Sequence, residues 1–158
     1  GSGAILNETL KAQEYLSTHY KVAADVWSVT SYKELRNDGM AADRHNMLHP
    51  EGPKKKAYVT QCLENEAPVV VAASDYVKML PDSIARWIPQ GITSLGTDGF
   101  GRSETRQSLR DFFEVDFRFV TLATLSALME RGELPQETVV NFMKTVGISS
   151  NKPNPLFS

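Results

Sequence analysis

The chain has 158 residues, one cysteine and a formal net charge of −2. That length makes one ordinary domain able to bury about two-thirds of its unfolded surface, so stability requires neither disulfide nor structural metal, and Cys62 alone forms no internal bridge. Mixed charge without a basic field argues against a nucleic-acid partner, Lys54-Lys55-Lys56 beside Pro53 reading as a solvated turn. No apolar run approaches the roughly 20 residues of a bilayer span and no signal-peptide pattern opens the chain, so a cytoplasmic location without membrane contact is expected.

In chain order, Gly1-Ser2-Gly3 leads at once into a helix. Such a triplet in an α/β protein ordinarily follows a strand, and an expression scar gives the same letters; on the first reading part of a sheet lies outside the chain. Residues 4–20 carry Ile5, Leu6, Leu10, Ala12, Tyr15 and Leu16 at helical spacing, which predicts an amphipathic helix. A strand is predicted over 23–29, then a helix over 32–48 weakened in its middle by Asn37-Asp38-Gly39. Two more strands are predicted over 58–63 and 68–74, the second continuous in Val and Ala as in a strand covered on both faces. Residues 76–87 read as a helix interrupted at Pro81, with Pro81 placed at the first position of a second helical piece, and 92–95 as the last strand. Helices follow over 104–114, 117–131 and 136–146, the last opening after Pro135 and stopping at Gly147. The resulting fold class is α/β, a three-layer sandwich with a mostly parallel (mixed) central sheet and helices on both faces. Residues 1–158 are expected to form a single domain, a C-terminal fragment of a longer multidomain chain.

Between the last strand and the helix at 104 stands Gly96-Thr97-Asp98-Gly99-Phe100-Gly101-Arg102-Ser103. It lacks the Gly-Lys-Ser/Thr ending of a P-loop and the third glycine of the dinucleotide fingerprint, so it is not a nucleotide motif. A tight turn needing positive φ accounts for it, with Ser103 as N-cap. Such a turn also exposes backbone N–H groups, and Arg102, Arg106 and Arg110 recur every four residues beside it; Gly99, Gly101, Arg102 and Ser103 are therefore the candidate anion or interface residues. A solvated basic face is the plainer alternative.

Other chemistry-bearing residues are weaker. Cys62 sits in an apolar stretch and reads as a buried thiol. His45 and His49 stand at i and i+4, a spacing seen in metal sites, but no third ligand is near, so no metal is assigned; His19 closes a helix as an exposed residue. Asp75 and Asp98 each follow a predicted strand, where capping explains them more simply than a carboxylate pair. Adjacent Phe112 and Phe113 point different ways on a helix, which leaves one of them for an interdomain or subunit contact.

Taken together, the helix-leading Gly1-Ser2-Gly3, Asp25-Val26-Trp27-Ser28-Val29-Thr30-Ser31, Asn46-Met47-Leu48-His49-Pro50, Ser74-Asp75-Tyr76, the glycine loop, Phe113-Glu114-Val115-Asp116 and a Pro-Asn-Pro tail resemble the C-terminal domain of homodimeric pyruvate dehydrogenases. The glycine loop alone is shared with the third domain of transketolases generally; the Trp27 and His49 segments narrow the resemblance. It implies a transketolase C-terminal-domain-like fold and an oxidoreductase of glycolytic carbon that decarboxylates pyruvate with thiamine diphosphate and magnesium and acetylates a lipoyl group of dihydrolipoyl acetyltransferase. Its implied partners are the protein's own N-terminal and middle domains, a homodimer partner and that acetyltransferase. The family's diphosphate motif, Gly-Asp-Gly followed by Asn-Asn, is missing here, and Thr97-Asp98-Gly99 does not replace it. No catalytic, cofactor-binding or metal residue is carried over; the domain is expected to support dimer and domain assembly, and alone to bind no cofactor and to be inactive. The alternative is a stand-alone anion-binding or protein-docking module without catalysis.

Overall fold

The computed structural model describes residues 1–158. A 3₁₀ turn over Gly3–Ile5 opens into α1 (Leu6–Tyr20), and α2 follows at Tyr32–Leu48, where Ser31 accepts the Glu34 N–H at 3.2 Å as its N-cap. Next come α3 (Tyr58–Leu63), β1 (Val71–Ala73), the short α4 (Met79–Asp82), a 3₁₀ turn at Ala85–Trp87 and β2 (Thr93–Leu95). The C-terminal third is helical: α5 (Arg106–Phe112), α6 (Phe117–Glu130) and α7 (Gln136–Val146), the last closed by Gly147 at φ +72°.

β1 and β2 pair in parallel, Val71 opposite Thr93 and Ala73 opposite Leu95, and form a two-stranded sheet. Helices cover both faces. On one side the opening 3₁₀ turn, α1 and α6 bring Ile5, Ala12 and Val120 onto Ala73 together with Phe113 and Val115. On the other, Tyr32, Ala57, Val59, Ile84, Trp87 and Ile88 make a second core under α2 and α3. A third cluster, Leu16, Leu125, Val139 and Phe142, locks α7 against α1 and α6. The fold is thus mixed α/β with helices on either side of a small parallel sheet.

Several expected elements differ. Residues 58–63 are a helix, not a strand: Asp38 on α2 accepts the Tyr58 N–H at 2.5 Å, which satisfies a first-turn donor and fixes a helical start. A six-residue apolar run has too little periodicity to distinguish the two. Residues 23–29 are extended but join no assigned strand; their pairing is with Gly1, whose amino group donates to the Trp27 carbonyl at 2.8 Å while Val29 N–H donates to the Gly1 carbonyl at 2.9 Å. The helix expected over 76–87 is broken into α4 and a 3₁₀ turn, and Pro81 lies inside α4 instead of opening a second helix.

Candidate functional site

The glycine loop leaves β2 and turns over the C-terminal end of β1. Gly96 is buried so closely that a Cβ there would stand 2.5 Å from the Tyr76 carbonyl oxygen, and Gly99 adopts φ +92° beneath the Pro155 carbonyl. These two glycines are required by close approach and by backbone conformation; Gly101 faces open space. Thr97 N–H donates to the Tyr76 carbonyl at 3.0 Å, and Asp98 accepts the Lys78 N–H at 3.0 Å, so Asp98 braces the turn that leads into α4. Asp75 is exposed, and its carbonyl accepts the Thr97 hydroxyl.

The four candidate residues do not form one concave site. Ser103 is exposed and does not cap α5; Thr105 does, accepting the Ser108 N–H at 3.2 Å, so the helix starts later than the expected residue 104. Arg102 precedes the helix altogether. Its guanidinium lies over the Phe112 ring at 4.4 Å and donates to the Ser158 backbone oxygen, so the loop is held against the tail. Arg106 is exposed, whereas Arg110 turns inward to Glu8 at 2.9 Å, and the expected basic stripe is thereby divided between surface and interior. Phe112 is covered from within the chain, by Arg102 and by Lys152, while Phe113 packs edge-on against it in the core.

Around this loop the sequence did not announce an apolar surface. Tyr76, Val77, Met79 and Leu80 on the turn bonded to Asp98, Phe100 at the loop's tip and Leu156 and Phe157 on the tail are all exposed, Phe100 to 90%. Aromatic and methionine side chains are enriched in protein contacts relative to the rest of a protein surface. Single hydrophobics scattered through unrelated predicted elements gave no sequence signal, because their convergence depends on the two hydrogen bonds from the loop to residues 76–78.

Sequence reading also passed over Glu8. It is 3% exposed on α1 and accepts from Arg110 at 2.9 Å, Lys11 at 2.9 Å and the Phe117 N–H at the start of α6 at 3.0 Å. Burial alone raises its pKa; the Lys11 and Phe117 hydrogen bonds and the two cations outweigh that and hold the carboxyl below its ordinary value. The arrangement is a structural tie between α1, α5 and α6.

The histidines stack instead of converging on a ligand: the His45 and His49 rings lie 4.2 Å apart, and His49 Nδ1 is 2.9 Å from the His45 carbonyl. Loss of solvent, then Lys55, His49 and Lys54, lower the pKa of His45. Cys62 is half-buried on α3. No three His, Cys, Asp or Glu side chains gather as a metal site. Asp98 is committed to the Lys78 N–H, so its carboxylate is not free to serve as a magnesium ligand. No helix is long and apolar enough to cross a membrane.

The family described as the transketolase-like TK C-terminal domain matches residues 1–116. The chain is 45% identical over 157 residues to the pyruvate dehydrogenase E1 component of Pseudomonas aeruginosa, covering 99% of this chain and 18% of that protein. It is 42% identical to the protein of the same name from Escherichia coli K12, over 98% of this chain and 17% of the relative, and 39% identical to that of Cupriavidus necator, over 99% and 17%. The chain thus spans less than a fifth of the length of these curated relatives.

Proposed function

We propose, from the premise that this chain belongs to the transketolase-like TK C-terminal domain family, and within it to the pyruvate dehydrogenase E1 components, that it is the C-terminal assembly domain of such an enzyme. The observation that carries the reading is the likeness over nearly the whole chain to proteins of that one name. In this reading the parent enzyme decarboxylates pyruvate and passes the acetyl unit to a lipoyl group of dihydrolipoyl acetyltransferase. Thiamine diphosphate and magnesium are held by the N-terminal and middle domains, and this chain supplies no catalytic group. Its work is to brace those domains and a homodimer partner in the cytoplasm, and on its own it is inactive.

The exposed apolar side chains around Phe100 suit that role, since a contact surface needs an apolar centre with a polar rim, here Asp75, Arg102 and Arg106. Gly99, Gly101, Arg102 and Ser103 are spread along that rim without forming a pocket, and in this reading a carboxylate of an adjoining domain or subunit meets Arg102 there. Arg102→Ala is expected to weaken association of the parent's subunits about tenfold, the order of one partly exposed charge-assisted contact. Unchanged association in sedimentation removes Arg102 from the interface. The parent itself is tested by capturing it from native extract with an antibody to this chain: a species several times heavier than 17.5 kDa that decarboxylates pyruvate with thiamine diphosphate is expected. An active-site-free species of 17.5 kDa leaves the docking module instead.

A further inference from the structure

α2 borders an open groove of about 1030 Å³ with one flank only. Tyr32, Glu34, Leu35 and Asp38 line that groove, and the extended segment 22–29, with Trp27, forms one of its banks. The other flank of α2 faces solvent and has a different composition. At about 3.6 residues per turn, Lys33, Arg36, Arg44 and Met47 all fall within about 40° of Met40, a stripe about 21 Å long. All five are exposed, Met47 to 71%.

The cations of this stripe have no partner in the chain: none of Lys33, Arg36 and Arg44 meets a carboxylate. The acids of α2 are turned elsewhere. Asp43 pairs with Arg86 at 3.2 Å and accepts from Trp87 Nε1 at 3.1 Å, Asp38 accepts the Tyr58 N–H, and Glu34 lies on the groove flank. Lys33 stands in the first turn, where the helix dipole disfavours a cation, and Arg36 follows it one turn on with the same sign. Nothing within the chain offsets these costs. Past the helix end the sign continues: Asn46 holds Lys55 by both backbone groups, at 2.9 and 2.8 Å, and neither Lys54 nor Lys55 has a carboxylate partner, Glu51 being the one acid of that loop. In a chain of net charge −2 this is a local concentration of positive charge.

A basic face that met only water would need no methionine along its midline. Arg and Met are both enriched in protein contacts, whereas the apolar cores of permanent interfaces are depleted in charge, so the interleaving of the two suits a partner that comes and goes. Met40 and Met47 are seven residues apart, the interval at which one helix meets another laid along it.

We propose that the outer face of α2 docks a separate protein through an acidic amphipathic helix, whose apolar residues seat on Met40 and Met47 and whose Asp and Glu residues meet Lys33, Arg36 and Arg44. Charge complementarity selects this occupant and steers its approach. The face shares no residue with the surface around Phe100, and the inference holds whichever reaction the parent performs.

The test titrates the 158-residue chain into a fluorescent peptide of three Leu-Glu-Glu-Leu-Ala-Glu-Glu repeats and follows anisotropy. Saturable binding is expected, at least about tenfold weaker when Ser replaces every Leu of the peptide and absent when Lys replaces every Glu. Arg36→Glu with Arg44→Glu is expected to raise Kd at least about tenfold, as is Met40→Gln with Met47→Gln, while Arg131→Glu with Lys144→Glu, an equal change in net charge on other helices, leaves it unchanged. Far-UV circular dichroism reports that each variant is folded, and alanine replaces glutamate at 36 and 44 if helix is lost. Absence of binding overturns the proposal, as do equal affinity for the Leu and Ser peptides and equal losses in the two charge reversals. In the parent protein without a partner, hydrogen peroxide is expected to oxidise Met40 and Met47 as fast as in the chain. Protection there overturns the proposal too, because the parent's own domains then cover the face.

Discussion

At the scale of single residues, two positions do more than their sequence context suggests. Gly39 sits in the middle of α2, where a glycine costs about 1 kcal/mol relative to alanine, yet a Cβ there would lie 2.5 Å from the Trp87 ring. The ring is held in place by its Nε1 bond to Asp43 at 3.1 Å, so it has little room to retreat. Overpacking of this kind costs about 1–3 kcal/mol, which exceeds the propensity gain. Gly39→Ala is therefore expected to lower the urea midpoint, and a raised midpoint shows that the ring yields. The sequence displayed Asn37-Asp38-Gly39 only as a weak spot; that it marks a helix–indole crossing, with Asp38 capping α3, depends on residues 20 and 48 positions away and was not legible.

Glu8 gives the second prediction at this scale. Its carboxyl is held below the ordinary value of 4.5, so the unfolded chain binds the proton more readily than the folded one. The stability it contributes is complete above pH 4.5 and is lost as pH falls through the depressed folded value. Urea midpoints measured from pH 7 to pH 3 should fall in the native chain, and Glu8→Gln should lose that component of the slope while being less stable at pH 7 by about 3 kcal/mol, as when one partner of a buried pair is removed. An unchanged slope in Glu8→Gln assigns the acid sensitivity to other carboxylates.

At the scale of elements, helices were legible where their ends carry local chemistry. α2 lies at its expected bounds, α7 ends at its glycine, and α6 begins after Asp116, which accepts the Arg118 N–H at 2.9 Å and the Phe119 N–H at 3.3 Å. Asp116 also pairs with the Arg118 guanidinium at 2.6 Å and is 8% exposed, whereas Thr105, the cap of α5, is exposed. Removing an N-cap costs about 1 kcal/mol, and loss of one of the two carboxylates of the half-buried Arg118, which keeps Asp111 at 2.5 Å, adds to it. Asp116→Ala is expected to cost about 2 kcal/mol and Thr105→Ala about 1, read as melting-temperature losses in that order; equal losses show that the Arg118 pair contributes nothing. Strands were less legible. The strands expected over 68–74 and 92–95 are present as the shorter β1 and β2, whereas the run at 58–63 folds as helix because its deciding contacts come from α2.

At the scale of the whole molecule, the α/β class and the two-sided cover of the sheet followed from the alternation of elements along the chain. What did not follow is the distribution of polar and apolar surface. The arginine series at 102, 106 and 110 reads as one stripe in the sequence, yet the structure sends Arg102 to the tail, Arg106 to solvent and Arg110 to Glu8. Tertiary charge pairing overrides helical spacing when a buried carboxylate lies within reach. Likewise the apolar rim around Phe100 is assembled from three separate segments, and its existence is a property of the folded chain alone.

The contrast between the two indoles gives the protein a built-in optical readout. Trp87 is 9% exposed in the core beneath α2, while Trp27 is 48% exposed on a bank of the open groove. Iodide should quench the red side of the emission spectrum, from Trp27, and leave a blue-shifted remainder from Trp87. Uniform quenching across the spectrum would contradict that placement. Light from Trp27 thus reports what enters the groove, and light from Trp87 reports whether the domain beneath it is still folded, in one cuvette and without a label.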